Sequence, residues 1–247
     1  MVPEDDFFFK LGRMVAPKVR KGQWIWSSLT GSSEEALDAE YQAGRDLARE
    51  FDAGVALDDD PHRRKLADRI AEQLSVKLTN KQRRWRVAVM KGPEPGAFAL
   101  PGGFLYVTQP LFELCAYDDD ELACVIGHEM GHVVRGHAME RITTQALATA
   151  ASRAVPSPTG AVAGWLIQAG VALFHSTHSQ DRELEADEFG ARLAAASGYD
   201  PRGAIRVLER LKSLTHDGGL PLAEYFASHP PLEIRIENLR RLIRVKS

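Results

Sequence analysis

The chain has 247 residues, 44% of them hydrophobic and 26% charged. That is close to an average soluble protein, so a packed core is possible and disorder is not the default. Lys plus Arg total 31 and Asp plus Glu 34, a net charge of −3; this excludes a strongly basic nucleic-acid footprint and a strongly acidic solvating chain. Cys115 and Cys124 cannot frame a disulfide scaffold and read as buried reduced thiols.

Residues 1–31 start acidic and lack an apolar run after a basic start, so they do not read as a secretory leader, and the cytoplasm is the expected compartment. Phe7, Phe8, Phe9, Trp24 and Trp26 are interleaved there with Lys18, Arg20 and Lys21. The segment reads as an N-terminal extension that packs its rings on the main domain, or that docks on a membrane interface or partner. The main domain is expected over 32–247. Ser32 and Glu35 suggest a capping box before a helix to about Phe51. Asp60-Pro61 starts a helix to about Ser75. The alternating run Arg84 to Met90, then Ala97 to Leu100 and Phe104 to Thr108, read as strands, the last two joined by Pro101-Gly102-Gly103. Asp118, three acids and Glu121 open a helix expected to run to about Ala150.

Residues 154–174 carry no charge and are long enough to span a bilayer. Their prolines, glycines and Gln168 favour a buried loop and a helix near Ala161 to Phe174. Three more helices are expected: Asp181 to Ser197, ended by Gly198; Asp200-Pro201 to about Leu214; and one from after Pro231 to near Val245. The fold class is mostly helical α+β with a small sheet.

His128-Glu129-Met130-Gly131-His132 fits H-E-x-x-H inside the helix opened by Asp118. Residues four apart share a helix face, so both imidazoles can face one zinc ion. Glu129 lies one residue around, beside the open coordination position, where it can act as general base. A catalytic zinc takes three protein ligands and keeps one position open. His137 is one residue out of register with the ten-residue spacing that a third histidine ligand takes in H-E-x-x-H-x-x-G-x-x-H proteases, and reads as structural. His175 and His178 have no spacing rule behind them. Glu183 and Asp187 are four apart on a later helix; Glu183 is preferred as ligand, with Asp187 hydrogen-bonding a ligand histidine. Glu185 competes but points about 160° away from that face. Gly127 and Gly131, also four apart, suggest close approach by the helix that carries Glu183.

These motifs resemble the zinc metallopeptidases typified by HtpX and the CAAX prenyl proteases, in a soluble bacterial-type form. The resemblance covers about residues 35–245. It rests on the strand–P-G-G–strand segment Ala97 to Thr108, on Asp119-Asp120-Glu121-Leu122 leading into the metal motif with His137 at the family's spacing, on Glu183-Leu184-Glu185-Ala186-Asp187, and on Ser228-His229-Pro230-Pro231-Leu232 followed by Arg235-Ile236. It departs from the family at Gly96 and at Ser179-Gln180.

The resemblance implies a zinc-dependent endopeptidase of gluzincin type. It implies one Zn²⁺ per chain held by His128, His132 and Glu183, with Glu129 as general base. It also implies His229 near the site, as an oxyanion stabiliser or a temporary cap on the metal. The strand containing Ala97, Phe98 and Ala99 could bind an extended substrate by main-chain hydrogen bonds. The expected substrates are unfolded or flexible protein segments, as in protein quality control, with no nucleic-acid partner. The competing reading is a zinc-stabilised binding or chaperone module whose site His229 closes. A third reading is a membrane-associated partner protein acting through the aromatic N-terminus.

Overall fold

The computed structural model describes residues 34–140, 180–216 and 232–244. In chain order the elements are α1 (Glu34–Gly54), α2 (Pro61–Ser75), β1 (Arg86–Met90), β2 (Ala97–Leu100), β3 (Phe104–Thr108), α3 (Gln109–Leu114), α4 (Asp119–Val134), α5 (Gln180–Ala196), α6 (Gly203–His216) and α7 (Leu232–Arg244). This is the mostly helical α+β fold with a small sheet that the sequence predicts. Among the described residues no helix is long and apolar enough to cross a membrane.

The sheet has the order β1-β3-β2. β3 is central, parallel to β1 with Ala88 opposite Tyr106, and antiparallel to β2 with Phe98 opposite Tyr106. All five β3 residues are buried, because helices cover both faces. Side chains alternate across a strand. Ala99, Leu105 and Val107 therefore join the core under α2 and α4, while Phe98, Leu100, Phe104 and Tyr106 join a second cluster under α1. Phe51 meets Tyr106 edge-on at 4.7 Å, and Phe98 stacks on Tyr106 at 4.9 Å.

The turn between β2 and β3 explains Pro101-Gly102-Gly103. Gly102 and Gly103 take φ of 75° and 94°, in the left-handed region that favours glycine. A Cβ on Gly102 would stand 2.6 Å from the Tyr41 Cα, and one on Gly103 would stand 2.0 Å from the Arg84 carbonyl oxygen. The buried Glu40 carboxylate accepts from the Gly102 N–H at 3.0 Å and from Arg83 at 3.1 Å, tying the turn to α1.

Caps follow the sequence. The Asp60 carboxylate accepts from the N–H groups of His62 and Arg63, and Asp118 accepts from that of Glu121 at 2.9 Å. The residues of the α1 capping box before Glu34 lie outside the described ones, as do the extension 1–31 and the stretch 154–174. Several boundaries differ from expectation: β1 begins at Arg86 rather than Arg84, and α1 runs to Gly54 rather than Phe51. α6 begins at Gly203 rather than at Pro201, and α4 does not run on to Ala150. It stops at Val134, and Gly136 at φ 77° breaks the chain before a helical turn over 137–140. α3 was not expected; it is a short helix with Pro110 in its first turn. Cys115 and Cys124 are free and buried, as expected.

Candidate metal centre

α4 and α5 make the site, and their close approach depends on glycine. A Cβ on Gly190 of α5 would stand 2.6 Å from the His128 backbone nitrogen, and one on Gly127 would stand 3.1 Å from the Gly190 carbonyl oxygen. Gly131 faces Ala186 and Phe189. The glycines of α4 thus admit the helix that carries Glu183. Gly190, their counterpart, was missed; its spacing of seven from Glu183 and three from Asp187 puts it on the same face.

His128, His132 and Glu183 converge. The two Nε2 atoms are 3.0 Å apart. Glu183 oxygens lie 3.6 Å from the His128 Nε2 and 3.3 Å from the His132 Nε2. Two ligands about 2.1 Å from a tetrahedral dication are separated by about 3.4 Å. The three residues form a group whose ligand atoms all lie within 4.8 Å of one another. The Glu183 side chain is 1% exposed, yet neither of its oxygens has a hydrogen bond of good geometry among the described residues. Beside the Arg235 guanidinium at 3.0 Å, a cation between the three residues would supply the remaining partner.

The surroundings orient this set. The Asp187 Oδ1 is 3.0 Å from the His128 Nδ1, which directs the His128 Nε2 lone pair inward. Arg235, on α7, makes a two-pronged pair with Asp187 at 2.7 and 2.7 Å and reaches Glu183 at 3.0 Å. On the far side of His132, its Nδ1 is 3.1 Å from the His137 Nδ1. The His137 Nε2 faces Glu185 at 3.5 Å, and Glu185 also pairs with Arg135 at 3.1 Å. Glu185 is thus turned away from the centre, as its position on the helix predicts.

The electrostatics agree. Burial raises the Glu183 and Asp187 pKa values, but the Arg235 guanidinium together with the neighbouring imidazoles, His132 and His128 at Glu183 and His128 at Asp187, outweighs it and holds both below the usual carboxylate range. Burial pushes His132 down to about 3, so that ring is neutral. Burial also lowers His137. Burial works against a charged His128 too, but Asp187 and Glu183 outweigh it and raise its pKa. With neutral imidazoles, two carboxylates and one guanidinium leave a net charge of −1. The upward shift of His128 expresses that deficit as proton affinity; a dication would meet it instead.

Glu129 lies between the two histidines on α4 and is buried. Ala97, Phe98 and Ala99 lie in β2, one of the two outer strands of the sheet among the described residues, beside α4 on its Ala99 side. Phe98 and Ala99 bury their side chains. His175, His178 and His229 lie outside the described residues. Arg235 is the residue whose role sequence reasoning missed. Its signal was a charge within the apolar stripe Leu232, Ile236 and Leu239, where spacings of three, four and seven mark a buried face.

Residues 61–243 match peptidase family M48. The chain belongs to that family. Among its M48 relatives is the metalloprotease YcaL of Escherichia coli, 30% identical over 210 residues, which are 82% of this chain and 79% of that protein. The metalloprotease LoiP of E. coli is 31% identical over 176 residues, 69% of this chain and 67% of LoiP. The mitochondrial metalloendopeptidase OMA1 of Schizosaccharomyces pombe is 31% identical over 159 residues, 63% of this chain. The chain spans 46% of that relative's length.

Proposed function

We propose that this M48 chain is a zinc-dependent metalloendopeptidase that cleaves unfolded or flexible protein segments. The observation that carries the reading is the meeting of three lone-pair donors, the His128 and His132 Nε2 atoms and the Glu183 carboxylate, in a buried site with a net negative charge. Family membership supports a metal cofactor and protein or peptide substrates. Two imidazoles and one carboxylate, with the histidines in an H-E-x-x-H helix, are a donor set of catalytic zinc.

When bound, zinc supplies a Lewis acid that acidifies water and polarises the scissile carbonyl. His128, His132 and Glu183 hold it. Glu129 takes a proton from the attacking water and hands it to the departing amine. Asp187 fixes the tautomer of His128, and Arg235 keeps Asp187 and Glu183 ionised in their buried surroundings. The position of β2 beside α4 supports an extended substrate running along that strand. His229 is assigned to the oxyanion or to a cap on the metal by its motif alone. The domain is taken as 32–247, with 1–31 an extension to it. Quality control is the cellular role in keeping with a preference for unfolded chains.

The test is zinc content and casein cleavage on wild type and Glu129→Gln side by side. Expected are about one zinc per chain in both and a loss of turnover of ~10²–10⁴-fold or more in the variant. Undiminished turnover in Glu129→Gln overturns the assignment.

A further inference from the structure

His137 is five residues beyond His132. On an unbroken helix the two would point roughly 140° apart and could not touch. The break at Gly136, φ 77°, changes this. It returns His137 beneath the end of α4, where its ring lies 5.3 Å from that of His132 and Nδ1 meets Nδ1 at 3.1 Å. His137 is buried, so the contact is sheltered from water.

Two ring nitrogens at that distance need one proton between them. If His137 donated, His132 would carry its own proton on Nε2, aimed at His128 and Glu183, and could not bind a cation. If His132 donates, its Nε2 keeps a lone pair facing that centre. Glu185 decides between the two. Its carboxylate faces the His137 Nε2 at 3.5 Å and favours the proton there, which leaves the His137 Nδ1 as an acceptor. Arg135 holds Glu185 in place at 3.1 Å.

We propose that His137 is a positioning residue for the metal centre: it accepts the His132 Nδ1–H and so presents the His132 Nε2 lone pair to the ion, with Glu185 fixing the His137 tautomer from the outer side. The inference rests on the metallopeptidase reading and deepens it. The two ligand histidines are then oriented by unlike partners. His128 is held by the buried anion Asp187, and His132 by a neutral ring whose far end reaches the surface at a half-exposed glutamate. A neutral partner orients the ligand without adding a second buried negative charge beside Glu183.

The experiment uses the full chain and two probes: Zn²⁺ affinity by competition with a chelating dye, and the visible absorption of the Co²⁺-loaded protein. His137→Leu keeps the volume and removes the acceptor. His137→Asn places an amide oxygen where Nδ1 stood. Expected is a ~10–100-fold loss of zinc affinity with an altered cobalt spectrum in His137→Leu. His137→Asn restores both, and Glu185→Gln gives a smaller loss. The thermal midpoint of the metal-free variants is measured beside them. Should His137→Leu not fold, His137→Gln, whose oxygen falls beyond the Nδ1 position, replaces it. Zinc affinity and cobalt spectrum unchanged in His137→Leu or His137→Gln overturn the inference. So does an asparagine variant that loses as much as the acceptor-free variant with which it is compared. Wild type that takes up no zinc overturns the metallopeptidase reading itself, so the two failures are distinct.

Discussion

Two of the glutamates buried along α4, Glu121 and Glu183, have side chains 1% exposed, and they are answered differently. Glu121, in the first turn, meets two guanidinium groups from α6: Arg206 at 3.1 Å and Arg210 at 3.1 Å, both partly open to water. Glu183, which α5 brings to the other end of α4, shares the single buried Arg235 with Asp187 and otherwise faces two imidazoles. At its own oxygens the first carboxylate meets two cations, and Arg206 goes on to the water-accessible Asp118, Asp120 and Asp200. The second is one positive charge short. A buried acid with two guanidinium groups of its own fastens helices together; one that shares a single guanidinium leaves room for an ion. The distinction lies in which cations meet each buried oxygen rather than in burial.

The largest expected effect tests the deficit. Arg235→Leu strands two buried carboxylates and should cost about 3–5 kcal/mol in the metal-free protein, read by denaturant unfolding. Zinc should raise the melting temperature more in this variant than in wild type, because the ion then supplies charge that the arginine gave. An equal zinc shift in both would erase the distinction. Glu121→Gln should cost about 1–2 kcal/mol, since its arginines can turn to water. Zinc affinity should not change; a loss there would break the comparison from the other side.

The smallest effect concerns a third acid. Asp58 pairs with Arg63, and the hydrogen bond from Arg63 outweighs burial to lower its pKa. A depressed carboxylate stabilises the fold above its unfolded value of about 3.9, and that contribution is lost as pH falls through the lower folded value. Wild type should therefore lose stability below pH ~4 more steeply than Asp58→Asn, followed by circular dichroism along an acid titration.

Much of the site was legible because it repeats with helical period. His128 with His132, Glu183 with Asp187, and Gly127 with Gly131 are all pairs four apart, and the structure keeps each pair on one face. The strands and their glycine turn were legible from alternation and from the need for positive φ. What the sequence withheld has no period. Arg235 finds its partners 48 residues back, a contact made by the docking of α7 and not by local geometry. His137 read as structural because its register misses that of a ligand. Its contact with His132 arises from the break at Gly136, and that same break is why α4 ends sixteen residues before Ala150. Glycine within a helical pattern announces a departure without giving its direction.

The placement of Arg235 has a consequence for timing. The proposed ligands His128 and His132 come from the middle of the chain, Glu183 from further on, and the group that makes the burial of Glu183 and Asp187 tolerable from α7. Synthesis runs from the N-terminus, and segments fold as they emerge. A ribosome-bound chain with α4 and α5 exposed but α7 still in the exit tunnel holds two acids that cannot both stay buried and ionised. Until α7 docks, closing α5 on α4 carries the cost of burying two carboxylates without their guanidinium.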